Sequence, residues 1–121
     1  MVNRQENSEK EKTIMNISTF DSEGFCGYTQ KTTFWQDFSI ADAFGISAIK
    51  DTYKRAFKSW KTNTEYVTEL VMVLNWKCWQ WYEKGNKAYS ELYGELFYEA
   101  QGWCFDNLKG EDLTYFVRTT D

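Results

Sequence analysis

From residue 46 onward, apolar residues recur at three- and four-residue spacing. This is the period of helices that bury one side. Ile46, Ile49, Tyr53, Ala56, Phe57 and Trp60 form one such stripe and predict a helix over 46–60. The stretch KTNT at 61–64 reads as a turn, with Asn63 or Thr64 capping the next helix. That helix covers about 64–84 and stops at Gly85. Asn86 starts another over about 87–109, with Tyr89, Leu92, Tyr93, Leu96, Ala100, Trp103, Cys104 and Leu108 on its buried side. Gly110 is expected to end it, and a last turn of helix is expected around 112–117. Upstream, Ser39 and Asp42 have the spacing of a capping box for a short helix, SIADAF, which Gly45 would close.

The 64–84 helix is apolar on two sides. At about 100° per residue, Val67, Leu70, Val71, Leu74, Cys78 and Trp81 share one stripe. Met72, Val73, Trp76 and Trp79 fall on nearly the opposite side, among Glu65, Glu69, Gln80 and Glu83. A helix of this kind is either central in its fold or carries a second interface. The N-terminal aromatics Phe20, Phe25, Tyr28, Phe34 and Trp35 are one candidate cover for Trp76 and Trp79; a partner, or a second copy of the chain, is the other.

Residues 1–12 are polar and charged and are expected to be disordered. Residues 13–31 are less regular: Ile14, Ile17 and Phe20 suit one helical turn, and the region from Gly24 to Gly27, with Phe25 and Tyr28, suits a hairpin or hook. The chain therefore divides into an N-terminal segment, 1–31, and a helical domain, 32–121. With no proline and short connections, the expected fold is all-α. It should be a small antiparallel three- or four-helix bundle with an irregular, partly disordered N-terminal segment.

Composition adds detail. The 121 residues suit a single domain, and the 19% aromatic share means that large rings fill much of the core. A net charge of −4 argues weakly against a general polyanion binder. Cys26, Cys78 and Cys104 are an odd set without a CxxC pair, which points to a reducing, cytoplasmic setting. MVNRQENSEKEK has no apolar core of a secretory signal, and VMVL at 71–74 falls far short of the ~20 apolar residues of a membrane span.

The absence of histidine removes the usual general base and the commonest metal ligand. Three scattered cysteines cannot build a four-ligand zinc site, and the separate glycines form no phosphate loop. Glu91, Glu95 and Glu99 repeat at i, i+4, i+8, with Asp106 beyond them. They suit a solvated acidic face better than a cation site, which normally draws ligands from several elements. No enzyme, cofactor or metal is expected. Two charged surfaces remain. Lys50, Lys54, Arg55, Lys58 and Lys61 make the helical stretch 46–61 basic, four of them within a ~80° arc. The Glu91/Glu95/Glu99 stripe could face a basic surface of another protein.

The stretches TTFWQDFSIADAFG (32–45), ELVMVLNWK (69–77) and NLKGEDLTYFVRTTD (107–121) resemble a group of small, functionally uncharacterised proteins from conjugative elements, plasmids and phages of gut bacteria. The resemblance covers about 32–121, is most specific at the C-terminal stretch, and carries over no site residue. It implies a cytoplasmic accessory protein of a mobile element, of the anti-defence (anti-CRISPR-like) or transfer-regulating kind. The combined expectation is a non-enzymatic protein-binding module using Trp76, Trp79, Glu91, Glu95 and Glu99, directed at a nucleic-acid-handling protein. The alternative is a nucleic-acid-binding accessory using Lys50, Lys54, Arg55, Lys58 and Lys61. Either would be a monomer or a homodimer, the latter with Trp76 and Trp79 as one candidate face, and neither would associate with a membrane.

Overall fold

Side-chain caps and left-handed glycines punctuate the chain. Asn63 and Asn86 each accept a hydrogen bond from the backbone N–H three residues on, at Tyr66 and Tyr89, both 3.1 Å. Such caps satisfy N–H groups that a helix start leaves without partners. Gly45 and Gly85 sit at φ 111° and 80° in the turns before the second and fourth helices, a conformation that costs other residues free energy. The computed structural model describes residues 28–121 and shows five helices: α1 (Phe34–Asp42), α2 (Ile46–Trp60), α3 (Thr64–Glu83), α4 (Lys87–Asn107) and α5 (Gly110–Thr120). Among the described residues there is no strand, and the fold is an all-α, bundle-like packing.

α3 touches every other helix, so its two apolar sides reflect a central position. Val67, Leu70, Val71, Met72, Val73 and Leu74 are all buried. α4 lies beside α3, its buried side formed by Leu92, Tyr93, Leu96, Ala100 and Cys104. A short connection and a hydrogen bond from the Ser90 hydroxyl to the Cys78 carbonyl (3.0 Å) set the two helices antiparallel. α5 packs on this pair through Phe116, which meets Phe105 edge-on at 5.3 Å.

Two helices differ from the sequence-based expectation. α1 starts at Phe34, five residues before Ser39, because Phe34, Trp35, Phe38 and Ala41 form a buried stripe. Ser39 therefore lies inside the helix and donates to the Trp35 carbonyl (2.8 Å). Asp42 is the last residue of α1 rather than a capping-box acid. α5 is a full helix beginning at Gly110, with Glu111 and Asp112 in its first turn, where acidic charge favours the helix dipole. Ile46 and Trp60, placed on the α2 stripe by spacing, are about 40% exposed, because the ends of α2 overrun the core.

The core also holds charge. Lys77, 1% exposed, donates from Nζ to Asp42 Oδ2 (2.8 Å), Ser39 Oγ (2.7 Å) and Gln80 Oε1 (3.1 Å), and lies 4.1 Å from the centre of the Trp35 ring. Asp42 Oδ2 also accepts from the Trp81 indole (3.1 Å), and Oδ1 accepts from the Tyr93 hydroxyl. The Tyr89 hydroxyl donates to the Asp42 carbonyl (2.9 Å). One residue at the end of α1 thus ties that helix to both α3 and α4.

Burial shifts several titrations. It pushes the Cys104 thiol up to about 12. It also raises the hydroxyls of Tyr28, Tyr53 and Tyr93 well above their usual range, helped by Glu69, Glu99 and Asp42 respectively. In the unfolded chain a thiol titrates near ~8.5 and tyrosines near ~10. These four groups therefore keep protons in the folded state that the unfolded state loses, and stability falls as pH rises through that window. Lys77, lowered chiefly by desolvation against the opposing pull of Asp42, acts in the other direction, but it is one group against four. The urea midpoint is expected to fall steeply between about pH 9 and pH 11. A flat profile over that range would contradict these burial environments.

Candidate protein-binding surface

The surface around Trp76 and Trp79 starts from a buried carboxylate on α3. Glu69 is fully buried. Its Oε1 accepts from the Tyr28 hydroxyl (2.8 Å) and the Lys31 backbone N–H (2.7 Å). Its Oε2 accepts from the Thr32 backbone N–H (2.9 Å) and the Thr32 hydroxyl. These four bonds hold the irregular strap 28–33 against α3 just ahead of α1. The strap lays the Tyr28 ring on Trp76, 5.9 Å between centres. Beside them opens a cleft of about 410 Å³ between Tyr28, Met72, Trp76, Phe97 and Gln101.

Trp76 is therefore partly covered by the chain itself, while Trp79, one turn along α3, is 56% exposed. Trp79 meets Tyr82 edge-on at 5.5 Å, and Tyr82 is more exposed still. Of the N-terminal aromatics expected as a cover, Tyr28 serves for Trp76. Phe34 and Trp35 are buried in α1, and Phe20 and Phe25 lie outside the described residues.

Glu91, Glu95 and Glu99 are all exposed on α4. The Ser90–Cys78 hydrogen bond places Trp79 and Glu91 each one residue beyond the same α3–α4 contact, and Glu91 pairs loosely with Lys87 (3.8 Å) on the surface. Rotation along α4 carries the stripe away from Trp79, and Glu99 comes close enough to Tyr53 of α2 to raise its titration. The structure thus joins Trp79 to Tyr82 and places Glu91 near the same α3–α4 contact, while Glu99 lies toward Tyr53 of α2.

Lys50, Lys54, Arg55 and Lys58 are exposed on α2, and Lys61 is exposed at its C-terminal cap. Among the described residues none forms an ion pair, so the basic and acidic stripes do not neutralise each other within the molecule. Lys61 lies over the Phe57 ring at 5.9 Å. Arg55 departs from the other four and lines a groove of about 490 Å³ between α1 and α2, with Asp37 and Asp51. Ile40, Phe44 and Trp60 also line it, with Phe44 79% exposed. Residue spacing alone misses this groove, because Ile40 and Phe44 read as part of the short helix SIADAF; in the structure α1 ends at Asp42, and both residues are exposed.

Among the described residues no cluster of acidic or sulfur side chains is placed to hold a metal, and no helix is long and apolar enough to cross a membrane. Cys78 and Cys104 carry free thiols. Replacing Glu69 by alanine is expected to release the strap. Amide exchange at Lys31 and Thr32 should accelerate by at least about tenfold, corresponding to ~1.4 kcal/mol of lost protection. Unchanged exchange at both amides would show that the strap is held by other contacts. No protein family, curated protein or solved structure matches this chain.

Proposed function

We propose that the protein is a non-enzymatic protein-binding module whose contact surface is centred on Trp79, Tyr82 and Glu91. The observation that carries this reading is the exposed Trp79–Tyr82 pair, on a helix whose other large apolar residues are buried or covered. Aromatic anchors of this type are the residues that dominate protein interfaces. Glu91, one residue from the Ser90–Cys78 contact, with Glu95 and Glu99 further along α4, suits a partner presenting lysine or arginine, which can stack on the rings and meet carboxylates. A basic surface of this kind is typical of proteins that handle nucleic acids. In a mobile element, occupation of such a surface would inhibit a host defence in the anti-CRISPR manner or regulate transfer, inside the cytoplasm.

A second reading rests on the four lysines Lys50, Lys54, Lys58 and Lys61, which share one side of α2 and its C-terminal cap without ion-pair partners among the described residues. They could contact phosphates, with Arg55 pointing elsewhere. Exposed lysines are also ordinary on a solvated helix, so this reading is the weaker one.

Co-purification of the tagged protein from several bacterial hosts separates the two. A stoichiometric protein partner is expected, and Trp79→Ala should weaken its binding by about 30-fold, equivalent to a hot-spot loss of ~2 kcal/mol. Recovery of nucleic acid instead, lost with raised salt and with Lys50, Lys54 and Lys58 changed to glutamate, would favour the second reading. Absence of any stoichiometric protein partner would overturn the first.

A further inference from the structure

Trp79, Tyr82 and Glu91 do not line the α1–α2 groove, and its residues follow a pattern symmetric about one position. Phe44, Ala48, Thr52, Ala56 and Trp60 all line it. They are spaced four residues apart, aromatic at both ends and small between. Phe44 sits in the turn joining α1 to α2, and Trp60 is the last residue of α2. The aromatics therefore stand at opposite ends of the groove, and Thr52 is at its middle. Asp51 and Arg55 flank that middle, and neither has an ion-pair partner among the described residues.

We infer that this groove is a homodimer interface, in which α2 of a second copy lies antiparallel across α2 on a twofold axis near Thr52. A closed twofold interface needs a surface that complements itself, and this arrangement supplies the complement at each position. Phe44 of one copy meets Trp60 of the other. Ala48 faces Ala56, and Thr52 faces its own symmetry mate. The small residues between the aromatics let the helices approach closely. Arg55 of each copy falls about 3 Å along the axis from Asp51 of the other at 1.5 Å per residue, within reach of its long side chain. Charges that have no partner in one copy thereby gain one in the pair.

Several observations make a second copy the favoured occupant. Phe44, at 79%, is the most exposed large apolar side chain among the described residues, and Ile40 on α1 is 62% exposed beside it. A knob and the groove that would receive it lie on the same face. The groove also carries both signs of charge, Arg55 against Asp37 and Asp51, which fits a copy of itself better than a partner of a single charge sign. Two short helices per copy make an interface at the small end of the stable range, with a dissociation constant of roughly 1–10 µM.

Sedimentation or light scattering of the whole chain over about 1–300 µM tests this directly. The mass is expected to rise from the 14.4 kDa of one chain to twice that value. Arg55→Asp and Asp51→Arg should each be monomeric alone, because every cross-interface pair becomes like-charged. Mixed in equal amounts, the two variants should form a heterodimer, since each then supplies the charge the other lacks. Phe44→Ser should also be monomeric, with unchanged helical circular dichroism confirming that it is folded. A wild-type mass that stays at one chain throughout would overturn the inference. So would a dimer that survives Phe44→Ser and both charge reversals, which would place self-association on another face. Failure of the two charge variants to pair on mixing would overturn the antiparallel register.

Discussion

The Lys77 ammonium has three N–H donors, and in this fold each meets an acceptor: Asp42, Ser39 and Gln80. Removing a lysine from water costs several kcal/mol, and a buried pair is favourable only when its remaining hydrogen-bonding capacity is met. Here that condition holds on both sides. Asp42 receives Lys77, the Trp81 indole and the Tyr93 hydroxyl on its two carboxylate oxygens. Asp42 also ends α1, where the helix dipole disfavours negative charge; Lys77 offsets that cost. Had either charge been left alone, desolvation would outweigh the local packing gain.

The position of α1 depends on this arrangement at one end and on Glu69 at the other. α1 has nine residues, too short to persist as a helix by local propensity. The strap hydrogen-bonded to Glu69 fixes where α1 begins, and Asp42 fixes where it ends against α3 and α4. Apolar contacts alone would leave several rotations and registers of α1 close in energy, whereas directional bonds at both ends select one. The surfaces depend on that choice. With α1 in this register, Phe34, Trp35 and Phe38 enter the core, while Ile40 and Phe44 turn outward beside α2. The strap that leads into α1 also decides that Trp76 is covered and Trp79 is not.

Much of the fold was legible in the residue pattern. The bounds of α2, α3 and α4 follow from periodicity, Asn caps and glycine stops, which are local signals. The buried side of α4 was legible for the same reason. What the pattern did not reveal is the polar part of the core. Glu69 and Gln80 are polar positions among the apolar residues on the second side of α3, and nothing local distinguishes a buried carboxylate met by a distant backbone from a solvated one. Lys77 likewise has its partners 35 and 38 residues away, at Asp42 and Ser39. The pattern misplaces α1 because Ser39 and Asp42 mimic a capping box, whereas their side chains bond to groups that spacing cannot show. For the candidate surface, spacing separated Trp79 from Trp81 and Cys78. It could not separate Trp79 from Trp76, because that difference is made by Tyr28, 48 positions upstream of Trp76.

A double-mutant cycle on Lys77 and Asp42, read by urea unfolding at neutral pH, tests whether this pair governs the fold. Lys77→Met and Asp42→Asn are each expected to cost about 3–5 kcal/mol, because each strands a buried polar partner. Together they should cost less than their sum by about 1–3 kcal/mol. Single losses below ~1 kcal/mol, or additivity within ~0.5 kcal/mol, would show that α1 is held by apolar packing and that the charged pair is incidental.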